Sequence, residues 1–136
     1  EMATIGDPLM DLGSALAYWI QEDDDALMKS SRRQPTNLLG MLTRQQVVDY
    51  YLEKTGLQPA NWAFYEVFGL FRLAVIAQQI YYRYYHQQTD NPAFKDFWIM
   101  IHALHIRALK LIAQNNAEAQ QLIPEYGAKL QDILKR

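Results

Sequence analysis

The sequence predicts an all-α fold, a helical bundle of about five helices in a single domain spanning residues 1–136. Composition is the first indication, because 17 Leu and 15 Ala stand against 4 Val, with only 6 Gly and 5 Pro. Leu and Ala favour helices, whereas β-branched residues such as Val favour strands. Half of the residues are hydrophobic, which is enough for a core and excludes a disordered chain. Apolar residues also recur at helical spacing along most of the chain.

The first helix is predicted to begin at Asp7-Pro8 and to run to about Ile20. Asp is a good N-cap, and Pro at the first helical position loses no hydrogen bond. Leucines recur on one face of this segment. The next stretch, residues 22–42, carries an acidic run followed by a basic run. Short alternating runs of this kind are typical of a solvated loop.

A capping box predicts the start of the second helix, since Thr43 is followed three residues later by Gln46. The same helix is expected to end at Thr55-Gly56, where Gly suits the left-handed conformation that often closes a helix.

The third predicted helix, from about Trp62 to Gln87, carries two neighbouring apolar stripes. Side by side, they predict a broad buried face and therefore the central helix of the bundle. A further stripe on the same helix contains Trp62, Tyr65 and Arg72 and is the candidate border of a cleft. The two apolar stripes comprise positions 64, 68, 71, 75, 78 and 82, and positions 63, 67, 70, 74, 77 and 81.

Two more helical segments complete the prediction. Asp90-Asn91-Pro92 caps a fourth helix from about Ala93 to Gln114, which Asn115-Asn116 ends. The last segment, about Ala117 to Lys135, is helical by composition, with an expected interruption near Pro124 and Gly127.

Charge and cysteine content exclude several classes of function. With 13 basic and 15 acidic residues the net charge is −2, so neither a nucleic acid nor a membrane is an expected partner. Arg72 and Arg107 interrupt the longest apolar stretches, which leaves no run of the ~18 uncharged residues that a membrane helix needs. The absence of Cys excludes disulfides and zinc–thiolate sites and fits a reducing compartment. The start of the chain lacks a signal segment, and we expect a cytoplasmic protein.

Candidate groups for chemistry are few. His102 and His105 are three residues apart on one helix and can chelate a metal, but no third ligand shares their stripe, which favours packed or surface histidines. Residues 81–86 read Tyr-Tyr-Arg-Tyr-Tyr-His, a pattern that suits stacking on bases. Consecutive helical positions point in different directions, however, so core and rim positions are favoured for this run. With no phosphate loop or nucleophile elbow, the chain alone has no evident catalytic apparatus.

Residues 1–13, which read EMATIGDPLMDLG, resemble a segment of the aminoglycoside phosphotransferase and choline kinase-like family. In that family, Asp-aromatic-Glu is followed by Gly-Asp-Pro and then by Asp-Leu-Gly or Asp-Leu-Ala. The similarity extends to about residue 112 and is closest to the branch found as bacterial phosphotransferases and in acyl-CoA dehydrogenase fusion proteins. The later matching pieces are Leu42-Thr43-Arg44, Tyr50-Tyr51 with Thr55-Gly56, and Tyr65-Glu66-Val67-Phe68 with Phe71-Arg72-Leu73-Ala74.

The resemblance implies a protein-kinase-like fold, of which this chain is the C-terminal helical part of the large lobe. Family members transfer the γ-phosphoryl group of ATP to a hydroxyl group, using Mg²⁺ and an Asp that orients the acceptor. The nucleotide lobe, the His-Gly-Asp-type catalytic loop and the metal-binding Asp would lie upstream of Glu1. We therefore expect a fragment that is inactive alone and has no cofactor of its own, with Mg-ATP and a small-molecule hydroxyl acceptor expected for the parent protein.

Site residues follow only from the resemblance. Glu1 matches the Glu that lies near the metal in relatives. Asp11 matches the Asp that anchors the catalytic loop, and its alternative is a carboxylate that complements the helix dipole. The stripe of Trp62, Tyr65 and Arg72 is the candidate lining of the acceptor pocket, with plain packing or surface display as the alternative.

Two further expectations concern partners. Helices that normally pack against the rest of a lobe would expose an apolar surface, so we expect a homo-oligomer, with exchange of a terminal helix as one route. The alternative to the phosphotransferase hypothesis is a self-standing helical interaction module, in which the Gly-Asp-Pro helix start resembles the family by coincidence.

Overall fold

A computed structural model describes residues 5–114 and 116–134, and every regular element in those ranges is helical. This confirms the predicted all-α class. The chain forms two compact units, residues 1–69 and 70–136, and one long helix begins in the first unit and ends in the second. The α-helices are α1 (Pro8–Ala17), α2 (Ala26–Ser30), α3 (Arg44–Thr55), α4 (Trp62–Tyr85), α5 (Phe97–Ala113) and α6 (Ala117–Leu134), and a 3-10 turn (Pro92–Phe94) precedes α5. The predicted boundaries at Asn115 and Lys135, and the residue Glu1, lie outside the described residues.

In the first unit, α1 begins as predicted but ends earlier. The Asp7 carboxylate accepts a hydrogen bond from the Leu9 N–H at 2.9 Å, and Pro8 occupies the first helical position. The helix stops at Ala17 rather than Ile20. The Thr36 side chain, from the following loop, forms hydrogen bonds with both backbone polar groups of Ile20. The Ile20 N–H donates to Thr36 Oγ1 at 3.1 Å, and the Ile20 carbonyl accepts from the same hydroxyl at 2.7 Å.

The segment after α1 was predicted to be a solvated loop, and that prediction is wrong in part. It contains the short helix α2, which the Asp25 side chain caps by accepting from the Met28 N–H at 2.9 Å. Met28 and Thr36 are both buried. A short helix is difficult to predict within a run of charged residues, because one acidic residue of the run can cap the helix while its neighbours remain in water.

Arg44, at the start of α3, ties this segment to the rest of the first unit. Its guanidinium donates to both carboxylate oxygens of Asp24, each at 2.7 Å, and also to the Trp19 carbonyl at 2.8 Å. The predicted capping box is confirmed, with the Thr43 and Gln46 side chains each bonded to the other residue's backbone N–H. The predicted closing glycine is confirmed as well, since Gly56 has φ of 69°.

Helices α1 and α4 meet through glycine within the first unit. A Cβ atom added to Gly13 would lie 2.2 Å from the Tyr65 carbonyl oxygen, and one added to Gly69 would lie 2.1 Å from the Gly13 carbonyl oxygen. Two helix backbones can approach this closely only where side chains are missing. This approach fixes the first two turns of α4 against the start of α1.

In the second unit, the core consists of small and branched apolar side chains on α4, α5 and α6. Helix α5 packs against α6, and it begins at Phe97 rather than Ala93 because a 3-10 turn capped by Asn91 comes first. The expected interruption of α6 is wrong, since the helix runs continuously through Pro124 and Gly127. The ring of Tyr126, between these two residues, contacts two α5 side chains, and such tertiary packing can outweigh weak helix propensity. The buried apolar residues of the unit are Leu70, Leu73, Ala77, Ala103, Leu104, Ala113 and Ala119.

Only one of the two predicted apolar stripes of α4 is turned inward. Leu70 and Ala77 are buried, but Phe71 on the other stripe is 62% exposed and Tyr82 is 54% exposed. The prediction of one broad buried face is therefore wrong. Helical periodicity identifies residues that share a face, whereas burial depends on whether another element covers that face.

By length and composition alone, α4 could also cross a membrane. It has 24 residues and reaches a mean hydropathy of 1.2 over its most apolar stretch, and no second helix among the described residues passes this test. A single helix of this kind is weak evidence, because core helices of soluble proteins have the same length and composition.

Candidate functional site

The start of α4 brings Trp62 and Tyr65 together with the carboxylate of Asp7. The Trp62 and Tyr65 rings stack, with centroids 5.8 Å apart and an interplanar angle of 25°. The Tyr65 hydroxyl donates a hydrogen bond to Asp7 Oδ2 at 2.6 Å. Since Asp7 Oδ1 accepts from the Leu9 N–H at the same time, a single carboxylate joins the start of α1 to the first turn of α4. We call Asp7, Trp62 and Tyr65 the aromatic–carboxylate cluster.

Hydrogen bonding sets the protonation states in this cluster. The bond from Tyr65, and then the bond from the Leu9 N–H, lower the pKa of Asp7 below its ordinary value. The same bond to Asp7 raises the pKa of Tyr65, and burial raises it further. At neutral pH Asp7 is therefore a carboxylate and Tyr65 a protonated phenol. In these protonation states, Asp7 accepts hydrogen bonds and the Tyr65 hydroxyl donates one.

The Asp7 carboxylate has room for further hydrogen bonds. Asp7 is exposed, and a carboxylate has about four lone-pair directions, of which two are used here. A hydroxyl or amine can therefore donate to Asp7, and the half-buried Tyr65 ring lies beside this carboxylate.

Arg72, the third member of the predicted acceptor lining, belongs to the second unit and is half-buried. It lies seven residues after Tyr65 in the sequence. Of the three predicted lining residues, Trp62 and Tyr65 form the cluster, whereas Arg72 is a separate position on the same helix.

Asp11 is exposed on the first turn of α1. At this position a carboxylate complements the helix dipole. Its exposure also leaves it accessible to another segment, as the predicted anchoring of a catalytic loop requires. Glu1, the residue predicted to lie near a metal in the parent, is outside the described residues.

The two histidines lie in the second unit and share one partner, Tyr126 of α6. The Tyr126 hydroxyl is hydrogen-bonded to Nδ1 of His102, and the His105 ring centroid is 4.2 Å from that of Tyr126. Burial, and then the charge of His105, lower the pKa of His102. Because one nitrogen of His102 is occupied by Tyr126, the geometry favours the packed-histidine interpretation over a metal chelate.

Within residues 5–114 and 116–134, no three His, Asp or Glu side chains come together as a set of metal ligands.

Sequence reasoning identified Trp62 and Tyr65 but missed the role of Asp7 as their partner. Asp7 was predicted only as a helix cap, and the partner that gives it a second role is 58 positions away. The buried Thr36 and the Asp24–Arg44 pair were also missed. No local signal distinguishes these residues from the polar residues around them.

Comparisons with known proteins find similarity to parts of much larger chains. The chain is 35% identical over 85 residues to acyl-CoA dehydrogenase family member 10 of Mus musculus. It is 28% identical over 86 residues to family member 11 of the same species, and 31% identical over 87 residues to family member 11 of Rattus norvegicus. The matches cover 61% of this chain but 8% of family member 10, and 62% of this chain but 11% of each family member 11. No protein-family model and no solved structure matches the chain.

Proposed function

We propose that this chain is the acceptor-side helical part of an ATP-dependent small-molecule phosphotransferase, related to the aminoglycoside phosphotransferase and choline kinase-like family, and that it is inactive alone. The resemblance is to the branch found in acyl-CoA dehydrogenase fusion proteins, and the curated relatives carry that name. The matched stretch is 8% to 11% of each relative, which fits one segment of a larger protein.

The hydrogen bond between Tyr65 and Asp7 is the observation that carries the proposal. Asp7 belongs to the Gly-Asp-Pro segment and Tyr65 to the Tyr-Glu-Val-Phe segment, two separate pieces that resemble the family. Gly13, at the end of the first piece, also meets the Tyr65 backbone. A shared fold would require these two pieces to meet in space, and they do so here.

In this proposal the aromatic–carboxylate cluster holds the acceptor. Asp7 accepts a hydrogen bond from the acceptor, and the Trp62 and Tyr65 rings provide the apolar surface beside it. Asp11 anchors the catalytic loop, which the parent supplies together with Mg²⁺ and the nucleotide site.

Calorimetric titration with Mg-ATP tests whether the nucleotide site is absent. We expect no heat of binding from the 136-residue chain, because the phosphate cradle and metal ligands lie elsewhere. Micromolar affinity for Mg-ATP would contradict the proposal.

The genomic DNA upstream of the Glu1 codon distinguishes a fragment from an independent module. We expect the reading frame to continue backwards through an Asp-aromatic pair and a His-Gly-Asp loop. A start codon immediately before Glu1 would contradict this and favour a self-standing helical interaction module. The exposed aromatic side chains on α4 are the observation that favours that alternative.

A further inference from the structure

Helix α4 carries a line of exposed side chains on the side away from its buried residues. Five positions of the second unit form this line, with spacings of four, three, four and three residues, which keep them on one side of a helix. We call them the outer face of α4. Phe71 is 62% exposed, Val75 39%, Tyr82 54% and Tyr85 69%, and Gln78 at the centre is exposed as well.

We propose that the outer face binds the same face of a second copy of this chain, with the two α4 helices antiparallel about a two-fold axis at Gln78. The pattern is self-complementary about that residue, because Phe71 and Tyr85 each lie seven positions from it. An antiparallel pair therefore places Phe71 against the partner's Tyr85 and Val75 beside the partner's Tyr82. In a two-fold dimer, every such contact occurs twice.

Gln78 favours this register. A buried amide without a partner is costly, whereas two amides that face each other can exchange hydrogen bonds. A residue on a two-fold axis lies against its own copy in the partner. At this position, each Gln78 amide can therefore form hydrogen bonds with the other Gln78 amide. A polar residue at one position of an otherwise apolar seam commonly specifies register in this way.

The exposed area is at the lower end of what a dimer needs, so we expect weak association. Aromatic side chains bury roughly 150–250 Å² each, so the exposed fractions on the outer face correspond to about 500 Å² per copy. Two copies would remove about 1,000 Å² from water, near the lower limit for a specific interface.

A second copy explains the outer face better than a lipid bilayer. A helix that crosses a membrane keeps charged residues away from the lipid, since each costs about 2.5–3.5 kcal/mol at the centre of the bilayer. Glu66, Arg72 and Arg83 are distributed along α4. The opposite side of the helix is already occupied by core packing, with Leu70 and Ala77 buried.

Cysteine cross-linking tests the register directly, because the chain has no Cys of its own. Gln78→Cys is expected to form a disulfide dimer rapidly under mild oxidation. Gln79→Cys is the matched control, another exposed Gln turned about 100° around the helix, and it should form little disulfide-linked dimer. Equal rates for the two variants, or slow cross-linking of Gln78→Cys, would overturn the proposed register.

Sedimentation velocity over a range of concentrations tests the dimer without oxidation. We expect a monomer–dimer equilibrium that Phe71→Glu weakens at least ~10-fold, since a charge would enter an apolar interface. Tyr50→Glu, at a 58% exposed tyrosine on α3, should leave the equilibrium unchanged, and circular dichroism verifies that both variants fold. A wild-type monomer at every concentration would overturn the proposal. The proposal would also be overturned if the wild type binds phosphatidylcholine–phosphatidylserine vesicles and Phe71→Glu abolishes this binding. That result would indicate that the outer face binds a lipid surface.

Discussion

Gly69 of α4 lies directly against the carbonyl oxygen of Gly13 in α1, with room for a hydrogen atom but not for a methyl group. A Cβ at position 69 would be 2.1 Å from that oxygen and 2.9 Å from the Ser14 nitrogen. Both atoms belong to helical backbone, which cannot move aside as the end of a flexible side chain can. This contact also positions Tyr65, one turn earlier on α4, against Asp7.

Gly69→Ala is therefore expected to destabilise the protein, although Ala is the better helix former by about 1 kcal/mol. The added methyl group forces the two helices apart, and overpacking of this kind typically costs about 1–3 kcal/mol. Urea denaturation measures the change in the free energy of unfolding.

Gly127→Ala in α6 is the matched control, because a Cβ there would meet nothing within 4 Å. Its expected effect is neutral or a stabilisation of up to about 1 kcal/mol. Similar effects of the two substitutions would show that the glycine contact between α1 and α4 does not constrain the fold.

The ion pair between Arg44 and Asp24 is expected to stabilise the first unit far more than an exposed pair. The two side chains are only 16% and 10% exposed, and their two hydrogen bonds are parallel. Asp24→Asn leaves a shielded guanidinium facing a neutral amide, which we expect to cost about 3 kcal/mol by urea denaturation.

Glu53→Gln provides the comparison, because Glu53 pairs with Lys54 on the surface, where the side chains are 70% and 57% exposed. An exposed pair contributes at most about 1 kcal/mol. The interpretation of the Arg44 contact is wrong if Asp24→Asn has as small an effect as Glu53→Gln.

Tyr65→Phe is expected to raise the pKa of Asp7, because the Tyr65 hydroxyl is the main group that holds this pKa down. A carboxylate with a lowered folded-state pKa stabilises the fold above its unfolded-state pKa, and this stabilisation is lost as the pH falls through the folded-state value. The variant should therefore show a weaker loss of stability in acid than the wild type. NMR titration of the Asp7 carboxyl carbon measures the pKa itself.

Tyr50→Phe is the control for this experiment. Among the described residues, the Tyr50 ring contacts the ammonium group of Lys54, which lies over its face. Tyr50→Phe should therefore leave the pKa of Asp7 unchanged. An Asp7 pKa that stays low in Tyr65→Phe would show that the backbone N–H of Leu9 is the dominant cause.

Local signals predicted three helix ends correctly, because the physical basis of these signals is local. The caps at Asp7 and Thr43 and the glycine at position 56 each depend on residues within one helical turn. The same reasoning failed for Phe71, since a helical period does not determine whether another element covers a face. It also failed for the bonds between Thr36 and Ile20, which join residues 16 positions apart.

The candidate site divides in the same way. Trp62 and Tyr65 were predicted from their shared stripe on one helix, which is a local pattern. The role of Asp7 required knowledge of how α1 packs against α4. That packing depends on two glycines 56 positions apart, Gly13 and Gly69, whose significance appears only when the helices are in contact.

The burial of His102 is expected to make the stability of the second unit dependent on pH. Burial and the charge of His105 lower the pKa of His102 below the ordinary value of 6.5. The folded state therefore binds fewer protons than the unfolded state as the pH falls below 6.5, and stability decreases with acidification in that range. Above this pH, His102 is neutral in both states and its contribution to stability is constant.

His105→Gln removes the second cause of the lowered pKa, so the pKa of His102 measured by NMR should rise toward 6.5. His86→Gln, at an exposed histidine on another segment, is the control and should leave the pKa of His102 unchanged. If His105→Gln also leaves it unchanged, burial against Tyr126 accounts for the shift without any contribution from the His105 charge.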